Sequence, residues 1–158
     1  MKHLNVGTDT VHVGVMKFSN YPSIEFPLDM HYTRAGVLKA IDNINYLGGG
    51  TNTAEAINYM NHQMFNQKSG ARPNVPRIAV VITDGRSSNP TTTTSAANQA
   101  RADHIGMMSI GIGAGVDQTE LHAIADSPAS SNSFMVNNYD QLNSIAAQII
   151  QRACQGRI

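Results

Sequence analysis

Apolar residues along the chain switch between two periods. Val11-His12-Val13-Gly14-Val15-Met16-Lys17-Phe18 and Ile24-Glu25-Phe26-Pro27-Leu28 alternate in twos around an Asn20-Tyr21-Pro22 turn. This predicts an antiparallel hairpin whose proline-bearing second strand lies at a sheet edge. Helical spacing then takes over. Thr33 reads as the N-cap of a helix carrying Val37, Leu38, Ile41 and Ile44, ended by Asn45-Tyr46-Leu47 and three glycines. A second helix from Thr53 to Phe65 sets Ala54, Ile57, Met60, Met64 and Phe65 on or near one stripe.

A polar stretch through Pro73 and Pro76 leads to Arg77-Ile78-Ala79-Val80-Val81-Ile82-Thr83, a β-branched run that stops at Asp84-Gly85. Such a run predicts a strand buried on both faces that delivers an acid to the sheet edge. Arg86 to Pro90 and the four threonines after it read as a loop, followed by an alanine-rich helix from about Ser95 to His104. Met107 to Gly113 reads as a second buried strand, and Asp117-Gln118-Thr119-Glu120 as a capping box opening a short helix through Leu121 and Ile124. Ser133 to Val136 is a short strand. Tyr139 to Ala153 is a closing helix with Leu142, Ile145, Ala146, Ile149 and Ile150 inward. Strands alternating with helices predict one α/β domain over residues 1–158, with a doubly wound, mostly parallel sheet and the hairpin as its antiparallel margin.

Composition narrows the partners. The 158 residues are 41% hydrophobic, enough for a core, and 11 basic residues balance 11 acidic ones. No global field recruits nucleic acid or an anionic membrane. No run of eighteen apolar residues exists for membrane insertion, and the first residues lack the apolar centre of a signal peptide. Cys154 is the only cysteine, so it is either a free intracellular thiol or half of a bridge to a residue outside this chain.

Candidate chemistry gathers at two stretches. Gly48-Gly49-Gly50-Thr51-Asn52-Thr53 places a hydroxyl on a tight turn before a helix, and Asp84 ends a strand, where open α/β sheets bind ligands. The plain reading of Asp84-Gly85 is a turn. If the two loops meet, they make an oxygen-lined cleft suited to a hard divalent cation. Gly111-Ile112-Gly113-Ala114-Gly115 approaches a dinucleotide loop, but its third glycine falls one place early. The six histidines have no ligand spacing, and no nucleophile sits beside a base, so nothing supports an enzyme beyond that near-miss.

Together these stretches resemble the von Willebrand factor type A family. The resemblance runs through Val13-Gly14-Val15 with Phe18-Ser19, Gly49 to Thr53, Val80 to Gly85, Ile110 to Gly113, and a cysteine after the last helix. It is nearest to the family's extracellular matrix members, of the matrilin and collagen VI kind. The resemblance implies that Thr51 and Asp84 supply two loops of a metal-ion-dependent adhesion site for Mg2+, or Ca2+ or Mn2+. It also implies a non-enzymatic, secreted matrix module whose partner, such as collagen, offers an acidic side chain to the cation.

One departure stands out. The family's first strand ends in Asp-x-Ser-x-Ser, and no such pattern occurs here; Met1 to Leu4 is similar to the last turn of the helix after that strand. By the family's strand order, a central strand is then missing. The expectations are weak or absent cation binding in this chain, exposed strands able to pair between copies, and a Cys154 whose disulfide partner lies outside the chain. Alternatives are a structural matrix module with a dead metal site and a nucleotide-dependent enzyme on a doubly wound sheet.

Overall fold

The computed structural model describes residues 4–46 and 48–154. The expected helix end at Met1 to Leu4 therefore falls outside the described residues, apart from Leu4. Strand β1 (Val15–Phe18) pairs antiparallel with β2 (Pro22–Phe26), as the alternation predicts. A cross-strand Lys17–Glu25 ion pair of 2.7 Å joins them. The first strand is shorter than its valines suggest: Val11 makes only an isolated bridge to Val6. Thr33 caps α1 (Arg34–Asp42), its hydroxyl accepting the Gly36 N–H at 3.1 Å.

Helix α2 (Thr53–Tyr59) is opened by the Asn52 side chain and runs into a π-helical turn, Met60–Met64, so the predicted Thr53 to Phe65 stripe is one continuous apolar face. Strand β3 (Arg77–Thr83) has the predicted bounds. Helix α3 (Pro90–Ala102) starts five residues before the expected Ser95 and takes in the four threonines. Asn89 accepts the Thr92 N–H at 3.1 Å, Pro90 occupies the first turn, and the Thr93 and Thr94 hydroxyls donate to carbonyls four residues back. Cap and proline outweigh the low helix propensity of the threonines.

Strand β4 (Ile105–Ile112) is the most buried element and pairs parallel with the whole of β3. Helix α4 (Gln118–Ile124) and the short α5 (Ala129–Asn132) lead to β5 (Ser133–Val136), parallel to β4. A 3-10 turn, Tyr139–Gln141, opens α6 (Leu142–Cys154). Two helical layers cover the sheet. Ile57, Met60, Met64, Ala97 and Ala100 pack with Ala79 and Met107 on one side, while Leu142, Ile145 and Ile149 pack against Ile110, Ile112 and Val136.

The strands nevertheless form two sheets, β1-β2 and β3-β4-β5, not one. Met16 of β1 and Val81 of β3 pack on the same α2–α3 cluster, so the two sheets share a covering layer. Among the described residues β1 pairs only with β2 and β3 only with β4, so each has one edge without a strand partner. One expectation is corrected. β3 is not buried on both faces, because Val80 is 38% and Ile82 49% exposed.

Candidate functional site

The glycine loop ties the two sheets together at one end. Asn52 donates its N–H to Ser19 O at 2.8 Å, and the Gly50 N–H donates to Asn20 Oδ1 at 2.9 Å, which fastens the loop to the end of β1. Gly49 holds φ +141°, a conformation open to glycine, with the Ser19 side chain 3.2 Å from where a Cβ would stand. On its other side, Thr51 O accepts both the Ser88 N–H at 2.8 Å and the Ser88 hydroxyl at 3.2 Å, fastening the loop just past the end of β3. Both strands therefore end at the same loop.

This brings Thr51 beside the Asp84-Gly85 turn. A Cβ on Gly85 would lie 3.6 Å from Thr51 Oγ1, so the Thr51 hydroxyl faces the Asp84-Gly85 turn. Thr83 closes that turn, its hydroxyl donating to Gly85 O at 3.0 Å. From below, α4 clamps the loop. Arg86 pairs with Asp117 at 2.7 Å, and the Ser87 N–H donates to both oxygens of Glu120, at 3.3 and 3.2 Å. The Thr119 and Glu120 backbone amides, with Arg86 a smaller cause, hold the Asp117 carboxyl below the usual range. The expected capping box is thus half formed: Asp117 caps α4, but Glu120, 8% exposed, turns to the Asp84 loop and not to the cap.

Asp84 itself is exposed and has no ion-pair partner among the described residues. Its Oδ2 accepts the Tyr139 hydroxyl at 3.0 Å. That hydrogen bond, then burial and the neighbouring Asp84 charge, raise the Tyr139 phenol above its ordinary value. The hydroxyls of Thr53 and Ser87 are buried without a hydrogen-bond partner, both flanking the same two loops. Tyr139, Ser87 and Glu120 escape sequence reasoning. For Tyr139 a signal exists, since it follows a predicted strand end and so stands at the crevice.

The donor set suits a hard cation in kind, with one hydroxyl and one unpaired carboxylate, but falls short in number of the six oxygens such ions take. Among the described residues, no group of three His, Cys, Asp or Glu side chains could hold a metal by itself. A cavity of about 180 Å³ beside β1, lined by Phe18, Ser19, Tyr21, Ile44 and Tyr46, adjoins this region without including Thr51 or Asp84. Gly115, part of the dinucleotide-like stretch, has a packing role. A Cβ there would stand 2.6 Å from Asp84 O. Cys154 is exposed on the last turn of α6 with a free thiol.

The geometry has counterparts. The family model for the von Willebrand factor type A domain matches residues 1–148. The human collagen alpha-1(XXI) chain is 34% identical over 154 residues, covering 98% of this chain and 16% of that protein. Matrilin-1 from Bos taurus is 31% identical over 151 residues, covering 96% of this chain and 27% of its own length. The chain thus spans a small part of the curated relatives it matches. The solved structure of proximal thread matrix protein 1 from the mussel byssus superposes with a TM-score of 0.87 at 26% identity, covering 95% of this chain and 38% of that one. A further structure of the mussel protein has zinc in its MIDAS motif. Among the described residues, no helix is long and apolar enough to cross a membrane. The fold, the two loops and these likenesses agree: the chain belongs to the von Willebrand factor type A family.

Proposed function

We propose that this chain is a non-enzymatic adhesion module of the extracellular matrix that engages a protein ligand through a divalent cation held beside Thr51 and Asp84. The observation that carries the reading is the meeting of the Thr51 hydroxyl with the Asp84-Gly85 turn at the shared end of β1 and β3. Asp84 supplies an unpaired negative charge, Thr51 a neutral oxygen, and the Glu120 and Asp117 clamp fixes the loop between them. When bound, an Mg2+-type cation supplies Lewis acidity toward an acidic side chain of the partner. A matrix protein such as collagen fits the role because the relatives are matrix proteins by name.

The third wall of the site comes, in this reading, from a strand seated between β1 and β3. Because β1 and β3 both end at the glycine loop, an extended segment paired with them would bring one of its ends beside Thr51 and Asp84. Pairing between copies through the same edges is the competing way to satisfy those backbone groups. Cys154, exposed at the end of α6, is free to bridge to a residue outside this chain. Secretion follows from the matrix reading.

Solid-phase binding to collagen and other matrix proteins, in Mg2+ and in chelator, tests the proposal. Asp84→Ala and chelator should each abolish most of the binding in a chain that has these edges paired. A structural module with a dead metal site is the second reading, favoured by the Tyr139 hydroxyl on the Asp84 carboxylate. It predicts binding that neither change reduces.

A further inference from the structure

We propose that the cavity beside β1 is a docking pocket for an uncharged, proline-rich segment of a partner protein in the extended polyproline II conformation. The pocket is separate from the cation reading above, because neither Thr51 nor Asp84 lines it. Its walls come from three stretches: Phe18, Ser19 and Tyr21 at the end of β1 and its turn, Ser23 of β2, and Ile44 and Tyr46 after α1.

Two tyrosines give the pocket its character. Tyr21 is 83% and Tyr46 91% exposed, and both line the same opening beside the apolar side chains of Phe18 and Ile44. Aromatic rings left this open add little to the core, so their area is available to a partner. The backbone that carries them is fastened. The Ser19 N–H donates to Tyr21 O at 3.4 Å, Ser19 O accepts the Asn52 N–H at 2.8 Å, and the Ile44 N–H donates to Ile41 O at 3.0 Å. Lys17, which also lines the pocket, bridges its two sides, with Nζ donating to Asn45 O at 3.2 Å and pairing with Glu25 at 2.7 Å.

Size, charge and hydrogen bonding select the occupant. At about 180 Å³ the cavity is smaller than the roughly 300–1,000 Å³ of pockets that enclose a small molecule, so it suits one or two rings of a longer chain. Its one charged side chain, Lys17, is neutralised by Glu25, which leaves no net charge to attract an anionic or cationic ligand. No acidic side chain lines it among the described residues, and Tyr21, Tyr46, Ser19 and Ser23 all carry hydroxyls that can donate. A proline-rich segment complements this set. Proline has no N–H to satisfy, the carbonyls of a polyproline II helix stay free as acceptors, and its rings pack on aromatic side chains. That helix is also preformed, so docking costs the partner little ordering.

Backbone amide spectra of the 158-residue chain, titrated separately with a blocked proline decapeptide, a glycine-serine decapeptide and maltose, test the assignment. All titrations run in chelator, so that no cation contributes. The expected result is saturable shifts confined to the amides of Phe18 to Tyr21 and Ile44 to Tyr46 with the proline peptide alone, and a Kd raised about fivefold or more in both Tyr21→Ala and Tyr46→Ala. Both side chains are exposed, and unchanged amide positions away from the pocket show that the variants fold. Saturation by maltose, or equal binding of the glycine-serine peptide, overturns the proposal. Shifts at these amides that grow with protein concentration alone mark a contact between copies and overturn it likewise. No localised shift with the proline peptide, or a Kd unchanged in either variant, does the same.

Discussion

Asp84 passes so close to the loop between β4 and α4 that its carbonyl oxygen would lie 2.6 Å from a Cβ on Gly115, and the contact is backbone that has little room to yield. Gly115→Ala should therefore cost about 1–3 kcal/mol in urea unfolding and shift the Asp84 and Gly85 amide resonances. An alanine variant as stable as the wild type would mean that the Asp84 loop is not held where it is described. Asp126 offers a second check. It is buried, with one oxygen accepting the Met107 N–H at 3.0 Å and the other without a hydrogen-bond partner, and Arg101 Nε stands 4.0 Å off. Burial, opposed by the Met107 bond and Arg101, pushes its carboxyl up. The folded state then binds this proton more tightly than the unfolded chain does. Its stabilisation is complete below about pH 4 and is lost as pH rises through the raised value. Asp126→Asn should accordingly gain on the wild type in melting temperature between about pH 4 and 7; a flat or opposite trend counts against this account of Asp126. Thr51 and Asp84 were legible as residues because a glycine turn and a strand end mark them locally. Tyr139 and Glu120 were not, since their partners lie on other elements and only the fold brings them near.

Elements were legible where periodicity was long and unopposed. β3 and β5 carry the predicted bounds, and the stripes of α2 and α6 face the core as expected. α3 was misjudged at its start because four β-branched threonines argue locally against a helix, while the Asn89 cap and Pro90 argue for one. β3 was misjudged in burial, since an all-apolar run shows what a strand is built to cover and not whether the cover is present. The paired parallel strands β3 and β4 should differ accordingly. Met107→Ala in β4, where the side chain is fully buried, should cost about 2–5 kcal/mol, whereas Ile82→Ala on the open face of β3 should cost about 1 kcal/mol or less. Equal losses in chemical denaturation would mean that Ile82 is covered in solution, by a strand, a helix or a second copy.

For the whole molecule, the strands are divided between two sheets that share a helical layer, and among the described residues β1 and β3 each keep one unpaired edge. Unpaired backbone groups along such edges are costly inside a domain and adhesive at its surface. Residues 1–158 alone should melt broadly or associate through these edges, as calorimetry and sedimentation would register. A sharp, concentration-independent transition in a monomer would contradict the account of these edges. Within that molecule, the loops of Thr51 and Asp84 meet, and the proposal is that they form one wall of a cation site. Weak binding suffices to test it by substoichiometric Mn2+ and backbone amide spectra of the wild-type chain beside Asp84→Asn. The account predicts that the amides of Thr51 to Thr53 and Asp84 to Ser88 fade first in the wild type, and that this preference disappears in Asp84→Asn. Uniform fading, or a preference for exposed carboxylates elsewhere such as Asp9 and Asp140, would contradict it.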